Sequence, residues 1–95
     1  MAVVNMLDIS TGHITESTND WLNGMVKNPM PGVIVYPREY GYLVPILHYA
    51  DMTHITNIPR DLIAILYYAK GLGCEWINLD RDADIDEELP TYEWE

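Results

Sequence analysis

The stretch IPRDLIAILYYAKGLGCEWINLD, residues 58–80, carries a helix start, an apolar helix, a stop and a strand in direct succession. Pro59 has the fixed φ suited to a first helical turn, and Asp61 sets a negative charge beside the helix N-terminus. The pattern predicts a helix over Pro59–Lys70, ended by the left-handed geometry open to Gly71 and Gly73, and then a strand over Glu75–Leu79. Leu62, Ile63, Ala64, Ile65, Leu66, Tyr67, Tyr68 and Ala69 leave that helix almost no polar face. A helix apolar all round needs cover on two sides, from its own sheet plus a loop or from another copy of the chain. The second alternative is a homodimer formed through Ile63 and Tyr67.

The same signals recur upstream. Ala2–Leu7 is an apolar, β-compatible run, read as a buried strand that ends at Asp8 before Ser10, Thr11 and Gly12. Thr18, Trp21, Leu22, Met25 and Val26 repeat at helical spacing, with Thr15 or Ser17 as N-cap, Glu16 in the first turn, and Asn28 and Pro29 as the close. Met30, Pro31 and Gly32 lead into Val33–Tyr36, and Tyr42–Leu47 forms a second β-prone run, so the two read as a hairpin joined through Pro37–Gly41. Pro45 cannot donate a ladder hydrogen bond, which places its strand at a sheet edge or at a bulge. His48–Asn57 reads as a loop.

The order is therefore β-α-β-β-α-β in a single α+β domain over 1–95. This is the order of the ferredoxin-like sandwich, an antiparallel sheet with two helices on one face. Ninety-five residues suffice for one hydrophobic core and not for two. Seven Tyr and three Trp supply the aromatic bulk in a chain without Phe.

Five basic residues stand against fifteen acidic ones, a formal charge of −10. A field of that sign opposes direct contact with nucleic acid or anionic lipid and favours cationic partners. Most of it is concentrated in the last sixteen residues, where Asp80, Asp82, Asp84, Asp86, Glu87, Glu88, Glu93 and Glu95 face only Arg81. The two-residue spacing from Asp80 to Asp86 would put four carboxylates on one side of an extended chain, a row comparable with the phosphates of one nucleic-acid strand. Ile85, Leu89, Pro90, Tyr92 and Trp94 interrupt the acids and are expected to pack the 80–95 segment onto the domain, whereas a plain acidic terminus would be a solvated tail. Trp94, between Glu93 and Glu95, suits docking on its own domain or anchoring in a partner's pocket.

Competing chemistries are weaker. The odd acids of 80–88 follow the spacing of an EF-hand loop, but Ile85 stands where glycine is needed and Thr91 where a bidentate Glu is needed, so no metal site is expected. His13, His48 and His54 fit no zinc spacing. Ser10, His13 and Asp8 could form a nucleophile and base pair in a small enzyme, but such residues more often cap the following helix. Cys74 has no basic neighbour in sequence and reads as packing; alone it can form no internal disulfide. No phosphate loop is present, Gly71-Leu72-Gly73 is no dinucleotide fingerprint, and no cofactor is expected. Neither a leader nor a run long enough to span a bilayer is visible, which makes the cytoplasm the expected compartment.

Ile9-Ser10-Thr11-Gly12-His13-Ile14-Thr15 with Trp21-Leu22, Tyr40-Gly41-Tyr42-Leu43-Val44, Ile58-Pro59-Arg60-Asp61-Leu62, and Gly73–Asp82 through Leu89-Pro90-Thr91-Tyr92-Glu93-Trp94 resemble a family of short proteins of unknown function carried by phages, plasmids and integrated elements. The resemblance covers nearly the whole chain and implies a genomic setting in a bacterial host; it assigns no role to any residue. Small acidic proteins of mobile elements include anti-CRISPR and antirestriction inhibitors that present carboxylates to a nucleic-acid groove, a likeness of class alone.

The leading expectation is thus a non-catalytic inhibitor, in the manner of a DNA mimic. It would bind a basic host protein that handles nucleic acid, a CRISPR effector or a restriction enzyme. Asp80, Asp82, Asp84, Asp86, Glu87 and Glu88 would supply the field, with Glu93 and Glu95 beside the anchors Tyr92 and Trp94. A small enzyme and a regulatory homodimer are the alternatives.

Overall fold

In a computed structural model of the chain, residues 3–29, 34–46 and 58–94 are described. The expected loop His48–Asn57, the connection through Met30 to Gly32, and Ala2, Val33, Leu47 and Glu95 lie outside them. Strand β1 covers Met6–Ile9, helix α1 Glu16–Lys27, β2 Tyr36–Arg38, β3 Gly41–Pro45, α2 Arg60–Gly71 and β4 Trp76–Asp80, with a short 3₁₀ turn at Thr11–His13 after β1. The domain is α+β with the order β-α-β-β-α-β.

The sheet runs β1-β4-β3-β2. β4 pairs antiparallel with β3, β3 antiparallel with β2, but β1 lies parallel to β4, Met6 opposite Trp76 and Ile9 opposite Leu79. The sheet is therefore mixed, and the antiparallel ferredoxin-like arrangement is corrected: that sandwich needs β1 inside the sheet, whereas here β1 is an outer strand and β4 is flanked on both sides. The side chains explain the placement. Ile77 and Leu79 of β4 are fully buried, while on β1 Met6 and Asp8 are exposed and only Leu7 and Ile9 turn inward. The expected buried strand Ala2–Leu7 is accordingly displaced towards the C-terminus; Val3 and Val4 are exposed, and Asp8 lies within β1 rather than ending it.

Burial alternates along β1, β3 and β4 with the two-residue period of a half-buried sheet, while β2 is exposed throughout. Ile9, Tyr42, Val44, Ile77 and Leu79 join Leu22 of α1 and Leu62, Ile65, Leu66 and Ala69 of α2 in one buried cluster. The other face carries Met6, Tyr36 and Trp76, with the Tyr36 and Trp76 rings 6.2 Å apart. There Asp8 accepts a hydrogen bond from the Asn78 amide at 2.8 Å.

β2 and β3 form the expected hairpin, tightened to a two-residue turn at Glu39 and Tyr40. A Cβ on Gly41 would stand 1.6 Å from the Leu79 carbonyl oxygen, so only glycine lets the hairpin close on β4. Pro45 keeps its strand without a clash of hydrogen bonding because the β2 ladder stops at Tyr36 opposite Leu43, two residues short of it.

Both helices begin as expected. Thr15 caps α1 by accepting from the Thr18 N–H at 3.2 Å. Asp61 does more than favour the α2 dipole: it accepts from the Thr15 N–H at 2.8 Å and from the buried Thr18 hydroxyl at 2.6 Å, tying the two helix N-termini together. At the other end of α2, Gly71 is still helical, and the left-handed residue is Gly73, φ 80°.

Candidate functional site

The acidic segment after β4 is held by the loop between β1 and α1. The Ser10 N–H donates to the Asp84 carbonyl at 3.1 Å, the Tyr92 N–H to the Gly12 carbonyl at 2.8 Å, and the Trp94 indole N–H to the Ile14 carbonyl at 2.8 Å. His13, only 1% exposed, joins both halves of the segment: Nε2 accepts from the Asp86 N–H at 2.9 Å while Nδ1 lies 2.8 Å from the Pro90 carbonyl. An acceptor at Nε2 requires the proton on Nδ1, which then donates to Pro90; the neutral tautomer satisfies both contacts. Leu89 adds an apolar contact with the core. These hydrogen bonds join residues 84–94 to the loop between β1 and α1, while Ile85 stays exposed.

The extended row of carboxylates does not form. Asp80 ends β4 and accepts from the Asp82 N–H at 2.8 Å, and Asp86 accepts from the Glu88 N–H at 2.9 Å. Aspartates bond readily to the backbone two residues on and fold the chain into turns, which breaks the two-residue alternation. The second Asp86 oxygen takes the Tyr68 hydroxyl of α2 at 2.9 Å. The Glu88 N–H first, then the Tyr68 hydroxyl, hold the Asp86 carboxyl below the usual aspartate range, against a smaller opposing effect of burial. The same hydrogen bond pushes the Tyr68 hydroxyl above its ordinary value.

In place of a row there is a shallow groove of about 500 Å³ beside the outer strand β1. It is lined by Leu7, Asp8 and Ile9 of β1 and by Asp84, Ile85, Asp86, Glu87 and Glu88 of the segment after β4. Ile85 is 53% exposed, an apolar contact set among five carboxylates. Asp8 joins this group only because β1 runs parallel to β4, a pairing that no local signal announces. Asp82 and Glu93 are exposed outside the groove, and the sole ion pair among the described residues, Arg81 with Asp82 at 4.0 Å, is itself exposed. The groove carboxylates therefore have no cation of their own among the described residues.

The other candidates separate. The Ser10 hydroxyl accepts from the Gly12 N–H, His13 is taken up by the C-terminal segment, and Asp8 points to Asn78 on the open sheet face, so the three do not converge as a nucleophile, base and acid. Cys74 packs at the edge of the core. On α2, Ile63 leans on the core and Tyr67 is 49% exposed, so the helix is covered on one side and part of a flank. Trp94, 40% exposed, has its indole N–H committed to its own domain. Among the described residues no group of His, Cys, Asp and Glu could hold a metal ion, and no helix is long and apolar enough to cross a membrane.

Comparison with curated proteins and with solved structures found no match. A family model described as the C-terminal domain of a family of unknown function, DUF5983, matches residues 6–94, a span from the first residue of β1 to the last anchor of the acidic segment. With nearly its whole length matched, the chain belongs to that family.

Proposed function

We propose that the chain is a binding protein whose acidic groove receives a Lys- and Arg-rich surface of a protein that handles nucleic acid. The observation that carries this reading is the groove itself: Asp8 of β1 gathered with Asp84, Asp86, Glu87 and Glu88, the last four on a segment held by the Ser10–Ile14 loop. Desolvating a cluster of carboxylates is tolerable only opposite cations, and a fixed field raises association rate and selectivity for such a partner. Ile85 supplies apolar contact at the centre, where a purely ionic interface would be weak.

The setting inferred from the sequence resemblance, a bacterial cytoplasm invaded by a mobile element, makes a host defence enzyme the natural partner: a CRISPR effector or a restriction enzyme. The chain would occlude its nucleic-acid channel by charge, as a mimic of shape-independent negative density rather than of a regular phosphate row. No catalytic step belongs to this reading.

The test is inhibition of DNA cleavage by such enzymes with the natural chain and with Asp84→Lys, Glu87→Lys and Glu88→Lys combined. The natural chain should bind and inhibit, more weakly as salt is raised, and the triple reversal should abolish inhibition while the circular-dichroism spectrum stays unchanged. Inhibition that survives the reversal undamaged would refute the groove as the contact.

A further inference from the structure

On another side of the domain, five parts of the chain meet around a cleft of about 330 Å³, within the size range of small-molecule sites. Its walls include Asn19 and Asn23 of α1, Arg38 and Tyr40 of the hairpin, Arg81 after β4 and Trp94 of the terminal segment. In a chain of −10, two of only three arginines converge here, against one carboxylate, Glu39.

The aromatic walls are already fixed. The Arg81 guanidinium lies over the Tyr40 ring, 4.4 Å from its centroid, and the Arg81 N–H donates to the Tyr40 carbonyl at 3.0 Å, locking the hairpin tip to the end of β4. The Trp94 indole is anchored on Ile14, and the Tyr42 hydroxyl reaches the Asn19 carbonyl at 3.4 Å. Burial, then the charge of Asp20, push that hydroxyl above its ordinary value, so it remains a neutral donor. By contrast, the Arg38 guanidinium and the amides of Asn19 and Asn23 have no hydrogen-bond or ion-pair partner among the described residues. Held aromatic surfaces beside uncommitted donors leave only the Arg38 side chain and the two amides to be ordered when a ligand binds.

We infer that this cleft binds a small molecule that joins a flat aromatic ring to one anionic group. The ring lies against Trp94 and Tyr40, its polar edge meets Asn19 and Asn23, and its carboxylate or phosphate pairs with Arg38, the guanidinium free to offer two parallel N–H donors. Glu39, the one carboxylate of the cleft, disfavours ligands with more than one anionic group.

Two probes distinguish the anion: adenosine monophosphate carries a phosphate and benzoate a carboxylate. Titrations on the full chain would follow tryptophan fluorescence and the side-chain amide resonances of Asn19 and Asn23. Saturable shifts with either probe are expected, weakened about tenfold or more in Arg38→Ala, because a charge-assisted bond is lost. Arg38 is exposed, so that variant keeps its fold, which an unchanged amide spectrum elsewhere verifies. Shifts should persist when Asp84, Glu87 and Glu88 are reversed, because those residues do not line this cleft. The inference is overturned if neither probe gives a saturable shift, if Arg38→Ala binds as tightly as the natural chain, or if ribose phosphate, which lacks the ring, binds as well as adenosine monophosphate.

Discussion

Helix α2 and the acidic segment after β4 are held in opposite ways. α2 is fixed by burial: Leu62, Ile65, Leu66 and Ala69 are at most 2% exposed, and Pro59 at its start makes no side-chain cap bond. The segment 84–94 buries little beyond Leu89 and is fixed by directed hydrogen bonds to Ser10, Gly12, His13 and Ile14. An apolar pattern in the sequence announces the first kind of attachment, whereas the second rests on single polar groups whose partners lie near the other end of the chain.

The contrast is testable by effects of decreasing size. Leu66→Ala removes a fully buried side chain and should cost about 3 kcal/mol of global stability in urea unfolding. His13→Ala leaves the Asp86 N–H and the Pro90 carbonyl without their partner and should cost about 2 kcal/mol. Its signature is local: hydrogen exchange at the Tyr92 amide should accelerate far more than exchange in β4, and equal acceleration would show that the segment and the core unfold as one unit. Trp94→Phe keeps the ring and loses one indole bond, for about 1 kcal/mol and partial release of the last residues. Tyr67→Ser, on the open flank of α2, should change stability by less than about 0.5 kcal/mol, unless a second copy covers it, in which case light scattering would show a smaller mass for the variant.

Acid sharpens the same comparison. The Asp86 carboxyl is depressed in the folded state, so its contribution is present above the unfolded aspartate range and is lost as pH falls through the folded value. The Tyr68 hydroxyl is raised, so its contribution is complete below the unfolded tyrosine range and is lost as pH rises through the folded value. Both groups lie near the surface, so the effect is small and confined to the tail. The protection factors of the Glu88 and Tyr92 amides, taken against intrinsic exchange at each pH, should fall at either extreme, and Asp86→Asn should flatten the acid limb.

Local chemistry made much of this legible. Thr15 as a cap, Pro59 at a helix start, Gly73 after α2 and the alternation of Ile77 and Leu79 each depend on a few neighbouring residues, and each was readable. Gly71 was misread because two glycines stood within reach of the stop and only one needed positive φ. Strand order was not readable: the pairing of Met6 with Trp76 depends on which strand is paired along both edges, a property of the assembled sheet. The acidic site divided along the same line. Its charge was legible in the run of acids after β4, whereas its shape was not, because Asp80 and Asp86 turn back on their own backbones and Asp8 arrives from the far end of the chain.

That far-end arrival sets how the molecule must come together. The strand that leads the fold has no place to bind until the strand that closes it has been laid down, since among the described residues β1 finds its ladder on β4 alone. Assembly therefore waits on closure of a loop that embraces both helices and the hairpin, a slow, entropy-limited event. A chain synthesised only as far as α2 would leave Leu7 and Ile9 without a sheet, and the groove beside them would not yet exist.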